Sequence, residues 1–363
     1  MMNELKEMQV NFLPRKTWHW CKVNDASIKV ETENVKAAKE NIVKSAGILS
    51  ETRMGEDEYR SLESGMGKEF ADYGFEVSKS IQKFRAENTD NGENLLIELS
   101  YEDGASYFNS YRIEAAPETD LTVIMRYKEA SSDEEKPGEE LFTAGIDTRV
   151  NVGRKATVRL IQVHESPNAC IYNNIASKVD ESGSFEVIHV ILNGKKVYNG
   201  CAAELSGKRS NFNVDTGYIA KENAKVDFNY VARHKGKEST SEIFANGVLN
   251  KQADKTFRGT LDFITGCPGS KGAEKEDVLL LDDDIINKTV PLILCTEEDV
   301  EGEHGATIGK LSDEILFYLN SKGINDDLAY SLMATGRVAS VIRKIDNEEL
   351  VKELLDRLGV DSK

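Results

Sequence analysis

Gly153-Arg154-Lys155-Ala156-Thr157-Val158-Arg159-Leu160 resembles a later stretch, Lys221-Glu222-Asn223-Ala224-Lys225-Val226-Asp227-Phe228. Each has a small residue, then a polar one, then apolar residues on alternate positions. Period-two alternation puts one set of side chains on a buried face, the mark of a β-strand. The same pattern fills 120–127 (DLTVIMRY), 184–192 (SFEVIHVIL) and 256–264 (TFRGTLDFI). Self-similarity at short, irregular spacing, without helical interludes between about 95 and 305, points to a β-solenoid. A two-sheet sandwich is the competing architecture. The solenoid is favoured because Asn-Gly hairpin dipeptides (Asn91-Gly92, Asn193-Gly194, Asn199-Gly200, Asn246-Gly247) are few and irregularly placed.

Outward from this core the pattern changes twice. In residues 1–94, the stretches 34–46 and 66–83 are rich in Ala, Lys, Glu and Gln and read as helices. Both tryptophans, Trp18 and Trp20, lie ahead of them in a segment read as an aromatic anchor for the N-terminal arm. The acidic stretch 131–140 reads as a solvated loop. Beyond the core, residues 311–363 carry three helical patterns. Ser312 caps the first, which ends at Gly323; the second follows Asn325; the third has a leucine stripe and ends at Gly359. These helices are expected to pack on the solenoid end, to offer a docking surface, or both. The expected organisation is therefore an N-terminal region (1–94), a β core (95–310) and a C-terminal helical domain (311–363).

The chain has 363 residues, 46 Lys+Arg and 63 Asp+Glu, for a net charge of −17. That balance argues against nucleic acid or an anionic membrane as the main partner. Residues 1–7 show neither the basic nor the apolar region of a secretion signal, and the apolar runs 278–281 and 290–295 are too short to span a bilayer. The five cysteines are scattered, with no Cys-x-x-Cys pair. A cytoplasmic chain with reduced thiols is expected.

Few motifs carry chemistry. Gly305-Ala306-Thr307-Ile308-Gly309-Lys310-Leu311 fails as a phosphate loop, because three residues separate its glycines and Leu311 stands where Ser or Thr would bind magnesium. The runs Asp282-Asp283-Asp284 and 297–303 are rich in carboxylates and read first as solvated surface. Oxygen-ligand calcium binding, or acid–base work in a carbohydrate-acting β-helix enzyme, is the sharper alternative. Four histidines have structural explanations. His304 differs, because it follows the acidic run and precedes Gly305-Ala306, where a backbone can approach closely.

The stretch Glu301-Gly302-Glu303-His304-Gly305-Ala306-Thr307-Ile308-Gly309-Lys310-Leu311-Ser312-Asp313-Glu314-Ile315-Leu316-Phe317-Tyr318-Leu319-Asn320-Ser321-Lys322-Gly323-Ile324 resembles the signature of the SufB/SufD family of iron–sulfur cluster assembly proteins. Upstream, Ser241-Glu242-Ile243-Phe244-Ala245-Asn246-Gly247-Val248-Leu249, Phe257-Arg258-Gly259-Thr260-Leu261, Leu280-Leu281 and Pro291-Leu292 are similar to further family stretches. The likeness runs over about 110–345. Within the family the chain is most similar to the SufD branch. Gly305 follows the histidine where SufB has glutamate, and Glu276 stands 28 residues before it, where SufB has its sulfur-accepting cysteine. Gly302 replaces a cysteine that many SufD chains carry.

The resemblance implies a mainly β chain: a right-handed parallel β-helix core with an N-terminal α/β region and a C-terminal helical domain. It implies a non-enzymatic scaffold that pairs with a SufB-type subunit and docks a SufC-type ATPase. A homodimeric SufB-like scaffold is the nearest alternative. Iron or a transient iron–sulfur cluster is expected only in the complex, with no cofactor held by the isolated chain. His304 and Glu303 are the expected metal ligands. Phe317, Tyr318, Leu319, Gly323 and Leu332 are the expected docking residues.

Overall fold

The computed structural model describes residues 5–17, 19–54, 57–87, 92–102, 104–129 and 142–360. Trp18, Asn91 and the acidic stretch 131–140 lie outside them. The N-terminal region contains β1 (Leu5–Val10), β2 (Ala26–Glu31), β3 (Lys39–Lys44), β4 (Ile48–Arg53) and helix α1 (Lys68–Val77). Two sheets follow, and the chain visits them alternately. One contains β6 (Glu93–Tyr101), β8 (Asp120–Glu129), β10 (Thr157–Glu165), β12 (Ser184–Ile191), β14 (Asn211–Ala220), β16 (Thr240–Leu249), β18 (Ser270–Leu280) and β20 (Val300–Gly309). The other contains β5 (Ile81–Ala86), β7 (Ser106–Ala115), β9 (Phe142–Val152), β11 (Ala169–Val179), β13 (Lys196–Leu205), β15 (Lys225–His234), β17 (Asp254–Phe263) and β19 (Ile286–Cys295). Helices α2 (Asp313–Ser321), α3 (Asp326–Ile342) and α4 (Glu348–Arg357) complete the described chain.

Every strand from β5 to β18 pairs in parallel with the strand two places later. This is a parallel β-solenoid, and the sandwich alternative falls. Thr157 lies beside Ser184, Ser184 beside Asn211, Asn211 beside Thr240, Thr240 beside Lys271, and Ser270 beside Val300, so from β10 onward a turn takes 27 to 31 residues along this sheet, against 37 from β8 to β10. The starting end is closed by antiparallel strands, β3 on β6 and β4 on β5.

A ladder of left-handed residues makes one corner of each turn. Glu118, Lys155, Ser182, Arg209 and Glu238 have φ between 54° and 61°, and Gly269 has φ 75°. Each donates its N–H to a carbonyl one turn further on: Arg154, Glu181, Lys208, Lys237, Pro268 and Asp299. Because five of the six are not glycine, the corner has no glycine signature in the sequence. The two matching octapeptides lead into β10 and β15, which lie in opposite sheets. Their likeness is that of corner and strand, not of equivalent positions in the repeat.

Alternate strand residues fill the lumen, among them Val158 and Leu160, Phe185 and Val187, Val226 and Phe228. The opposite residues of the β8–β18 sheet, including Ile161, Val163, Val190 and Val248, are covered by α3 and α4. These helices lie along the flank of the solenoid rather than on its end. Gly217 of β14 admits Val341 of α3, since a Cβ there would stand 3.0 Å from the Val341 Cβ. The outer face of the other sheet is covered by α1 and the β1–β2 pair, with Phe70 and Tyr73 packed among Phe108, Tyr172 and Tyr198.

Three N-terminal expectations are corrected. Residues 39–44 of the expected helix 34–46 are strand β3, because pairing with β6 outweighs the local helix preference. In 66–83 the helix ends at Val77 and β5 begins at Ile81. Trp20 is 75% exposed and lies outside the buried core. The arm is held by the buried apolar side chains of β1 and β2 and by polar contacts: Arg258 donates to the Val23 carbonyl and to Asp227, and Asn11 donates to Asp227. The Asn-Gly dipeptides at 199 and 246 lie inside strands. Gly200 lets the Gly65–Met66 backbone pass, and Gly247 seats the Tyr218 ring. The expected ends are present: Ser312 and Asn325 each accept a backbone N–H, and Gly323 and Gly359 have positive φ; Asn347, which the sequence reading did not single out, caps α4 in the same way.

Candidate functional site

The two sheets end in β19 and β20, and among the described residues no strand pairs with their outer edges. Residues 301–308 of β20 are all exposed. Pro291 in β19 has no N–H for a ladder, which suits an edge strand. The final turn is therefore open along its backbone and at its lumen.

His304 is placed by register. β18 buries Gly272, Glu274, Glu276 and Val278 toward the lumen, whereas Asp277 points outward to Arg337 of α3 at 2.6 Å. In the parallel pair, His304 stands beside Glu274, Ala306 beside Glu276, and Glu303 beside Ala273. Partners in a ladder share a face, so His304 belongs to the lumen side and Glu303 to the outer side. The structure thus separates the two residues that the sequence set together as ligands. Gly305 and Gly309 leave open space where a Cβ would be.

Beneath His304 lies a buried charged group that the sequence reading missed. Glu276 accepts hydrogen bonds from Lys255 Nζ at 2.5 Å and Thr289 Oγ1 at 2.6 Å. Both members of the ion pair are almost fully buried. Burial lowers the Lys255 pKa, with Glu276 opposing that shift. Glu274 is pushed up to about 8, first by burial and then by the nearby Glu276 charge. Its Oε2 is buried without a hydrogen-bond partner. The carboxyl rests against Gly259 of β17, where a Cβ would clash at 2.2–2.6 Å. Alternating strands usually carry charge outward, which hid Glu274, Lys255 and Glu276; the one available signal was their odd or even position relative to Val278 and Phe257.

The carboxylate runs are held as surface structure. Asp283 pairs with Lys310 at 2.5 Å, Asp284 accepts from Gln252, and Glu297 accepts the Gly266 N–H. Among the described residues, no group of three or more His, Cys, Asp or Glu is placed to hold a metal ion. Of the thiols, Cys170, Cys201 and Cys267 are buried, and burial raises those of Cys201 and Cys267. Cys295 is exposed, with Sγ donating to the Glu297 carbonyl. Glu276, at the position expected for a sulfur acceptor, is a carboxylate engaged by Lys255.

On the flank, Phe317 (78% exposed), Tyr318 and Leu332 are exposed on α2 and α3, as are Ile315, Leu328 and Met333. Leu319 instead packs inward with Leu316 and Ile324. Gly323 terminates α2 with φ 83°. No helix among the described residues is long and apolar enough to cross a membrane.

A family model described as "SUF system FeS cluster assembly, SufBD core domain" matches residues 98–337. An iron–sulfur cluster assembly SufBD family protein of Mycobacterium leprae is 26% identical over 180 residues, which is 49% of this chain and 21% of that protein. The iron–sulfur cluster assembly protein SufD of Bacillus subtilis is 30% identical over 122 residues, 34% of this chain and 28% of its own length. A SufBD family protein of Staphylococcus epidermidis is 24% identical over 203 residues, 55% and 43% of the two chains. The chain thus spans less than half the length of these relatives. With the solenoid and the family match over most of its turns, the chain belongs to the SufBD core family of iron–sulfur cluster assembly proteins.

Proposed function

We propose that this chain is a SufD-type scaffold subunit, itself not an enzyme, acting in the cytoplasm. It pairs with a SufB-type subunit through the open β19–β20 end and docks a SufC-type ATPase on α2 and α3. His304 meets iron or a nascent cluster at the subunit interface. The observation that carries this reading is the uncovered last turn with His304 on its lumen side. A backbone edge recruits another strand, and an imidazole at that edge is a ready iron ligand. The engaged Glu276 carboxylate favours the SufD side, since the persulfide then belongs to the other subunit. The apolar α2–α3 region supports ATPase docking, because six of the fourteen exposed large apolar side chains among the described residues lie on these two helices.

The test is His304→Ala in the complex copurified with native partners. Folding, complex formation and ATP hydrolysis are expected to persist, while cluster yield after reconstitution, read by iron and sulfide analysis, falls at least about tenfold. Wild-type cluster content in the variant would remove His304 from the reading. Copurification from the native host as a homodimer, with no SufB-type chain, would replace the SufD-type pairing with a homodimeric scaffold.

A further inference from the structure

The last turn holds one more donor besides His304. Glu274 is 4% exposed, its Oε2 has no hydrogen-bond partner, and it stands beside His304 in the β18–β20 ladder. Adjacent strands lie about 4.8 Å apart, so side chains at partner positions on one face can converge on a single ion. The neighbouring lumen-side residues of β20 are Gly302 and Ala306, too small to close the space. Glu276 is not a competing donor, because Lys255 and Thr289 occupy its oxygens. The Lys255 charge is in turn neutralised by that pair.

We propose that Glu274 and His304 together form a half-site for a divalent transition ion, iron(II) in function, which the partner subunit completes from its own side. This rests on the scaffold reading and names the second donor of its site. Glu303, adjacent in sequence, takes no part because it faces outward. One carboxylate and one imidazole fall short of a full ligand set, in keeping with the lack of any three-residue metal group among the described residues. Coordination uses the carboxylate form, so the Glu274 proton leaves to solvent as the ion enters.

The experiment uses the full-length chain without partners, under anaerobic conditions, with cobalt(II) as optical probe and iron(II) as competitor. Wild-type protein is expected to bind one cobalt(II) that iron(II) displaces. Glu274→Gln keeps the side-chain volume and is expected to weaken binding at least about tenfold, as is His304→Ala. The double variant is expected to lose cobalt(II) binding altogether, since it removes both donors to one ion, and the two single losses need not add. Glu303→Gln should bind within about twofold of wild type. The proposal is overturned if wild-type chain binds no cobalt(II), or if Glu274→Gln binds as wild type. It is equally overturned if Glu303→Gln is the variant that loses the ion. Because no partner is present, these outcomes are separate from the cluster-yield test in the complex, which judges the scaffold reading.

Discussion

Three histidines are buried in the solenoid interior, and burial depresses all three. His189 is pushed down to about 3, His234 to about 4, and His164 well below the usual imidazole range. Above pH 6.5 they are neutral whether the chain is folded or not, so they cost nothing. As pH falls below 6.5 the unfolded chain takes up protons that the folded chain refuses. Stability is therefore full above about 6.5 and is lost as pH falls toward 4 and 3, by up to about 1.4 kcal/mol per pH unit for each histidine. Glu274, raised to about 8, works in the opposite direction and gains stability as pH falls, so urea midpoints from pH 7.5 to 4.5 are expected to fall below 6.5 by less than the three histidines' full share. His189→Gln should raise the midpoint at pH 4.5 relative to that at pH 7.5 by one histidine's share, and an unchanged pH profile in this variant would show that imidazole to be solvated. The Lys255–Glu276 pair offers a second test. Glu276→Ala leaves a buried ammonium unpaired and is expected to cost about 3–5 kcal/mol, whereas Lys255→Met with Glu276→Leu should cost far less. Chemical denaturation of the single and double variants separates the two. At this scale His304 was legible through the family likeness, and Glu274 was not. A charged residue in an alternating strand ordinarily reads as outward, and only the completed ladder shows which parity faces the lumen.

Among the elements, the C-terminal helices were the most legible, since Ser312, Asn325, Gly323 and Gly359 set their ends as capping chemistry requires. Their position was not. Sequence shows that a helix has an apolar face but not which surface it covers, and here α3 lies on β12, β14 and β16. Removing residues 312–363 would uncover Ile161, Val163 and Val190, so truncation confuses docking with folding. Point changes are cleaner. Phe317→Ser with Leu332→Ser alters exposed side chains and is expected to change stability by no more than about 0.5 kcal/mol each. The same variant is expected to lose SufC-type ATPase binding in a pull-down. Retention at wild-type affinity would move the dock elsewhere. Strand β3 shows the opposite failure of legibility: its composition favours helix, but its apolar Ile42 rests on the core, Glu40 on the same side accepts from Asn109 and Tyr111, and Lys39 and Lys44 are exposed at a sheet edge.

Over the whole molecule, the alternation of strands was readable and the repeat was not. Turn length varies from 27 to 31 residues along one sheet from β10 onward, and the shared corner is a backbone conformation worn by Glu, Lys, Ser, Arg and Gly alike. The solenoid is finished at one end by antiparallel strands and left unfinished at the other. Purified alone, the chain is expected to associate as concentration rises, through the β19–β20 edge. Thr307→Lys on β20 should suppress that association without changing circular dichroism, since charge on an exposed edge discourages pairing. Light scattering over a dilution series checks both. The open edge also has an economic consequence inside a cell. Copies made beyond the supply of whatever covers them present the same surface that chaperones and proteases use to recognise incomplete protein. Raising synthesis of this chain alone should then shorten its half-life in a pulse-chase, while raising it together with its cover should not, so that assembly itself sets the dose.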